Sequence, residues 1–436
     1  MKHPSNTLII IGNGVAGITA ALEFRKHSTA PVVVLSDEHP YFFSRTALMY
    51  VFMGHMKWEH LEPYEPAFWK QQNITLVQDR VLQLEATTKT LHTASGKSYA
   101  YGQLLMATGS EPRKAPWPGK EAKGVQGLYH KQDLEQLEAL TPNIATAVVI
   151  GGGLIGVELA EMLHSRGKRV IFLIREQRFW DQILSKEEAQ CVTEHLIQHG
   201  IEVHCDTTVA AFESSAKGEL SAVKTTDDLR FEAQFAGVTI GVTPQIEIFK
   251  NSGLNVNKGI LVDAYLKTNL KDVYAAGDCA ELQQPPQGRN SIEPVWYSGR
   301  SMGAAVGSTL AGKPIKYDPG TWFNSAKFFD IEYQTYGSIA NKADATTTHW
   351  FWKHPTKNCS FRIAYDSKSS SILGFSTLGL RLRQNQCIQW IEAKTPVHQV
   401  MNDLMEAHFD PEFSQRYLKK IQQQFLSQHP TFVPKP

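Results

Sequence analysis

Two glycine-rich turns, each placed between a short apolar run and a segment of helical character, constrain this chain more than any other feature. The first stands in TLIIIGNGVAGITAAL, Thr7 to Leu22, with glycines at Gly12, Gly14 and Gly17. The second stands in AVVIGGGLIGVELAEML, Ala147 to Leu163, with glycines at Gly151, Gly153 and Gly156. An isolated GxGxxG marks many ordinary turns, but here an apolar strand enters each copy and a helix leaves it. A further apolar run follows each helix: VVVL after Pro31, and Arg169 to Ile174. Strand–helix–strand units repeated in this way imply parallel sheets. Two widely separated copies predict an α/β fold with two Rossmann-like domains.

In each turn the first glycine permits the bend, the second lets backbone N–H groups approach a ligand, and the third lets the helix pack on the sheet. The helix behind the turn presents unpaired N–H groups and the positive end of its dipole, which suits a pyrophosphate. Val15, Ala16, Leu154 and Ile155 open those helices and are expected to line the two sites. A carboxylate about 20 residues past the last glycine commonly receives ribose hydroxyls. Asp37 fills that place in the first copy, with Glu38 beside it. In the second copy the slot holds Ile174, followed by Arg175, Glu176 and Arg178. Two readings stay open there: arginines that accept the 2′-phosphate of NADPH, or Glu176 serving the ribose of NADH.

A chain of 436 residues exceeds one ordinary core, so two or three domains are expected. Lys+Arg at 44 against Asp+Glu at 43 leaves +1, which gives no reason to expect nucleic acid as a partner. The five cysteines are scattered and form no CxxC pair, which argues against a local redox disulfide or a zinc ribbon and suits a cytoplasmic protein. Glycines break the N-terminal apolar run, and no segment reaches the ~20 apolar residues of a transmembrane helix. Between the two units, Ile74 to Leu105 alternates in the manner of an antiparallel meander leading into LLMATG. Residues 201–241 repeat the style, with turns near Lys217-Gly218 and Asp227-Asp228, and Gln283 to Asn290 reads as a surface loop. From about Gly320 the texture shifts to aromatics and short alternating runs, then to helical periodicity between Pro396 and Leu426, predicting a third, α+β domain.

Four further segments complete a resemblance to the FAD-dependent pyridine nucleotide oxidoreductases, the branch of ferredoxin, rubredoxin and nitrite reductase flavoproteins. MATGS at Met106 to Ser110 resembles the segment that leaves the FAD domain, and TIGVTP at Thr239 to Pro244 the one that returns to it. VYAAGDCA at Val273 to Ala280 is similar to the second FAD fingerprint, and WFNSAKFFDIEYQTYG at Trp322 to Gly337 to the opening of the C-terminal interface domain. The resemblance implies an FAD-binding domain over 1–115 and 238–319, an NAD(P)-binding domain over 116–237, and an interface or dimerisation domain over 320–436. It also implies cofactor contacts from Ala107, Thr108, Gly109, Gly241, Gly277 and Asp278, from Val81 beside the adenine, and from Arg45 near the flavin. Glu158 falls near the nicotinamide carboxamide, its counterpart in the first copy being Thr19, and Trp296 with Tyr297 falls near the isoalloxazine.

The departures narrow the chemistry. Ser44 stands where one branch of the family carries a redox cysteine, and serine forms neither a sulfenate nor a persulfide. Tyr50 stands where ferredoxin reductases usually place a lysine. Hydride transfer to a flavin requires no side-chain acid or base, so no catalytic residue is expected. The activity implied is NAD(P)H oxidation through FAD to ferredoxin, rubredoxin or a nitrite-reductase-type acceptor, with a homodimer as the candidate assembly. An NADH oxidase or quinone reductase, and a non-catalytic NADH-sensing flavoprotein resembling apoptosis-inducing factor, are the alternatives.

Overall fold

A computed structural model describes residues 6–410, 412 and 417–430. The remaining positions at both termini and within the expected C-terminal helical segment lie outside that description. Contacts divide the chain into two compact units. The first is Met1–Ala115, Gln126–Asn143 and Ile240–Pro319; the second is Pro116–Val125, Ile144–Thr239 and Gly320–Pro436. Segment Gln126–Asn143 goes with the first unit because Glu38 there grips the start of the helix Lys131–Leu140. The segment from Gly320 goes with the second.

The first unit is built on a parallel sheet in the order Val273–Ala275, Gln103–Met106, Leu8–Ile11, Val32–Ser36, Ile74–Gln78. Its central strands LIII and VVVLS are buried along their whole length, as expected of strands covered on both faces. Ile74–Gln78 corrects the sequence reading: it pairs in parallel with Val32–Ser36 and does not open the meander. As the edge strand it is only half covered, so its alternation mimics an antiparallel strand. The meander begins at Val81 and comprises Val81–Glu85, Thr90–Thr93 and Ser98–Ala100.

The helix Val15–Arg25 lies against Trp296–Leu310, and glycines of the latter make the close approach possible. A Cβ at Gly303 would stand 2.5 Å from the Ala16 carbonyl oxygen, and one at Gly307 would stand 2.6 Å from that of Ala20. The expected surface loop after Gln283 is exposed and irregular.

The second unit repeats the parallel theme with Glu202–His204, Arg169–Leu173, Thr146–Ile150 and Phe235–Val238 side by side, and Val125–Gln126 at the edge. The antiparallel strands Val209–Ser214, Leu220–Thr225 and Arg230–Glu232 turn at Gly218 and Asp228, both at positive φ. Beyond Gly320, an antiparallel sheet runs in the order Phe323–Phe328, Ile331–Gly337, Ile372–Leu378, Ser360–Asp366, Thr347–Lys353. The helices Gln384–Glu392, Val397–Asn402 and Tyr417–Gln428 share its apolar core, which makes this part α+β. The fully covered Arg362–Glu188 pair, 2.9 Å apart, joins this sheet to the helix Lys186–Gln198. Among the described residues no helix is long and apolar enough to cross a membrane.

Candidate dinucleotide sites

The two glycine turns have the same geometry. Gly12 has φ +104° and Gly151 φ +114°, a region that favours glycine. A Cβ at Gly12 would meet the Ala107 carbonyl oxygen at 2.1 Å, and one at Gly151 the Thr239 carbonyl oxygen at 2.4 Å. The third glycines are as crowded: a Cβ at Gly17 would stand 2.1 Å from the Gly12 carbonyl oxygen, and one at Gly156 2.2 Å from that of Gly151. The middle glycines differ. Around Gly14 and Gly153 an added Cβ would meet nothing within 4 Å. Each is the N-cap of its helix, without a side-chain cap or an acidic residue in the first turn. Val15 with Ala16, and Leu154 with Ile155, form those first turns. Crowded walls, an open middle and an uncapped helix terminus together form a cradle that fits a pyrophosphate.

Behind the first turn the two adjacent acids part company. Asp37 is half exposed and lies 3.8 Å from Arg80. Glu38 is nearly covered: Arg45 donates to both of its oxygens, at 2.9 and 2.5 Å, and the backbone N–H of Lys131 donates at 2.8 Å. Burial alone would raise its pKa, but hydrogen bonds from His130 and Arg45 outweigh that and bring it to about 2. Arg45 also donates to the Tyr129 carbonyl and lies over the Tyr129 ring. Asp278 accepts from the Ser110 hydroxyl at 3.0 Å, and burial raises its pKa against the opposing effects of Ser110 and Arg45. Glu38, Arg45, Ser110, Tyr129 and Asp278 thus form one polar group in the first unit.

At the second turn, Ile174 is fully buried, and a Cβ on Gly152 would meet its side chain at 2.8 Å. It is a floor beneath the turn. Arg175 is 72% exposed and donates to Glu176 at 2.8 Å, while Arg178 is held by Asp181. Glu158 lies on the helix Leu154–Ser165; burial, with Glu161 adding repulsion, pushes its pKa up to about 7.

Comparison with known proteins accords with this geometry. Residues 6–302 match the family described as pyridine nucleotide-disulphide oxidoreductase. The chain belongs to that family. It is an FAD-dependent NAD(P)H oxidoreductase. It is 30% identical, over 339 residues, to the 5,5'-dehydrodivanillate O-demethylase ferredoxin reductase subunit of Sphingobium sp., covering 77% of this chain and 82% of that one. It is 26% identical to a rubredoxin-NAD(+) reductase of Ectopseudomonas oleovorans over 72% of this chain and 83% of the relative. Among solved structures, a NAD-dependent persulfide reductase from A. fulgidus superimposes with a TM-score of 0.86 at 22% identity, over 98% of this chain and 84% of that one. A ferredoxin reductase from Rhodopseudomonas palustris gives 0.79 at 22% identity, over 96% of this chain and all (100%) of that one. These two structural likenesses speak for the fold.

The remaining positions in the oxidoreductase fall into distinct settings. The segments leaving and re-entering the first unit lie side by side, Ser110–Pro112 pairing antiparallel with Val242–Pro244. Ala107 is buried, the Thr108 hydroxyl donates to the Gln245 carbonyl at 2.7 Å, and Gly109 and Gly241 turn with positive φ at the two ends of this ribbon. Gly277, also at positive φ, lies against Ala16, where a Cβ would come within 2.9 Å. Val81 is buried in the core. Trp296 and Tyr297 are each 40% exposed at the start of their helix, Trp296 beside Arg300. Tyr50 stacks on His55, and Ser44 touches Thr46.

Two supports of the turns escaped the sequence reading. Asn13 donates to the His39 and Tyr41 carbonyls, and the Thr239 hydroxyl donates to the Ile150 carbonyl. An amide inside GNG was a signal for the first. No local pattern marks the second.

Proposed function

We propose that this oxidoreductase draws electrons from NADH or NADPH and delivers them to a small redox carrier protein of the ferredoxin or rubredoxin type. The observation that carries the reading is the matched pair of turns, each with an open middle glycine at an uncapped helix end. In this reading the Gly12–Gly17 turn holds FAD and the Gly151–Gly156 turn holds the nicotinamide dinucleotide. Asp278, supported by Ser110, and Arg45, fixed by Glu38, serve the ribityl or pyrophosphate region of the first. Glu158 serves the carboxamide of the second. Bound FAD supplies the conversion between a two-electron donor and a one-electron acceptor. The chain's own task is to hold the two rings, orient them and exclude water.

The cysteines support an acceptor served without a protein thiol. All five are free, and the first unit's Cys279 is fully buried with its pKa raised by burial. Free thiols also support a cytoplasmic setting. The family resemblance further suggests a homodimer, which sedimentation of the purified protein tests. For the reaction, the decisive experiment is anaerobic titration of the flavin absorbance with NADH and NADPH, then rapid mixing with ferredoxin, rubredoxin or oxygen. Fast reoxidation by a carrier protein is expected. Reoxidation fastest with oxygen would instead assign an oxidase.

A further inference from the structure

Away from both glycine turns, the second unit brings together two histidines and a carboxylate. His195 and His199 stand four residues apart at the end of the helix Lys186–Gln198, so they share one face. Asp330 stands in the turn between the strands Phe328 closes and Ile331 opens. One ligand atom from each lies within 4.8 Å of the others. The Asp330 carboxylate oxygen is 2.5 Å from His195 Nε2 and 3.7 Å from His199 Nε2. His195 is only 5% exposed, and its Nε2 faces the group without making a well-directed hydrogen bond.

The outer partners allow both imidazoles to face inward with an Nε2 lone pair. His199 Nδ1 lies 2.9 Å from the His195 carbonyl oxygen, an acceptor, so the proton of a neutral His199 belongs on Nδ1. Its Nε2 lone pair then points at a carboxylate, a repulsive arrangement that either a proton or a metal cation between them relieves. His195 Nδ1 is 2.9 Å from the amide of Asn358, which also bonds Gln198 at 3.0 Å. Turning both amides over keeps these bonds and lets Asn358 accept from His195 Nδ1–H, freeing Nε2 as a ligand. The Phe329 ring, 4.9 Å from that of His199, shields one side.

We propose that His195, His199 and Asp330 form a binding site for a divalent metal of the zinc class, with both histidines binding through Nε2 and solvent completing the shell. Tetrahedral zinc places its ligand atoms about 3.3 Å apart, so the Asp330–His195 contact has to open by about 1 Å and Asp330 has to draw closer to His199. With a side chain 76% exposed, it has room to do so. The metal would tie the helix to the hairpin of the C-terminal sheet within one unit, a structural role separate from the redox chemistry.

The test uses the full-length flavoprotein stripped with a chelator, titrated with Zn²⁺ against a chromogenic indicator and with Co²⁺ by visible absorption beyond the flavin bands. One equivalent is expected to bind with a cobalt spectrum of low coordination number. The exposed-side substitutions His199→Gln and Asp330→Asn should each weaken binding by at least about tenfold. They should also abolish any zinc-dependent rise in Tm, while flavin content and bleaching by NADH stay unchanged. Absence of stoichiometric uptake by the wild-type protein would leave an ion pair only and overturn the proposal. Wild-type affinity in both variants would place the metal elsewhere and overturn it as well.

Discussion

At the scale of single residues, the second turn is where side chains are proposed to decide cofactor choice. Ile174 lies beneath the turn, so placing a carboxylate there would bury a charge and test folding, not specificity. The informative positions are Arg175 and Glu176, which hold each other at 2.8 Å. With no carboxylate committed to the ribose, discrimination between NADH and NADPH is expected to stay within about tenfold. Arg175→Ala should lower kcat/KM for NADPH, and Glu176→Ala should lower it for NADH. Steady-state kinetics with both donors checks this, and equal losses in each variant would refute the division of roles.

Glu158 carries a second residue-level expectation. Its pKa rises from 4.5 to about 7, so the folded state keeps a proton that the unfolded chain releases earlier. That contribution to stability is complete below about pH 4.5 and is lost as pH climbs through 7. Glu158→Gln should therefore gain stability relative to wild type between pH 5 and pH 8, by about 1–3 kcal/mol. Thermal melts at the two pH values measure it; a difference independent of pH would contradict the assigned cause.

At the scale of elements, the strands that every sheet-facing pattern marks as buried were legible, and the edges were not. LIII, VVVLS and TAVVI read as interior strands because both faces are covered. Ile74–Gln78 was misread because an edge strand in a parallel sheet alternates like one in an antiparallel sheet. Helix pairing was equally hidden: Gly303 and Gly307 look like ordinary helix glycines until Ala16 and Ala20 are seen beneath them. The buried Arg362–Glu188 pair is a contact between residues far apart in sequence, and no local pattern announces it. Its energetics are testable. Arg362→Met leaves Glu188 charged and buried, at a cost of about 3–5 kcal/mol; adding Glu188→Gln should recover most of that. Chemical denaturation of the single and double variants reports the coupling. A double variant no more stable than the single one would show that packing around Arg362 matters more than its charge.

At the scale of the whole molecule, duplication explains why the two glycine turns were more legible than their surroundings. The first and third glycines of each turn are bound to their roles by backbone clashes of 2.1 to 2.4 Å, which any sequence with this geometry has to respect. Glu38 and Arg45 were named as neighbours of the cofactor, but their mutual lock and its link to Lys131 depend on tertiary contacts that spacing does not reveal. The duplication also makes the division of labour between the turns separable by experiment. A valine side chain at Gly14 or Gly153 would enter open space, because nothing lies within 4 Å of the added Cβ, so both variants are expected to fold. Each would place its bulk where a pyrophosphate is proposed to sit. Gly14→Val should purify without flavin and resist reconstitution with FAD, with affinity reduced at least about tenfold. Gly153→Val should remain yellow and be reduced by dithionite, yet bleach far more slowly with NADH or NADPH. Flavin absorbance decides between the outcomes. A yellow Gly14→Val protein, or a Gly153→Val protein that either nicotinamide still bleaches at the wild-type rate, would show that the turns do not divide the two dinucleotides in this way.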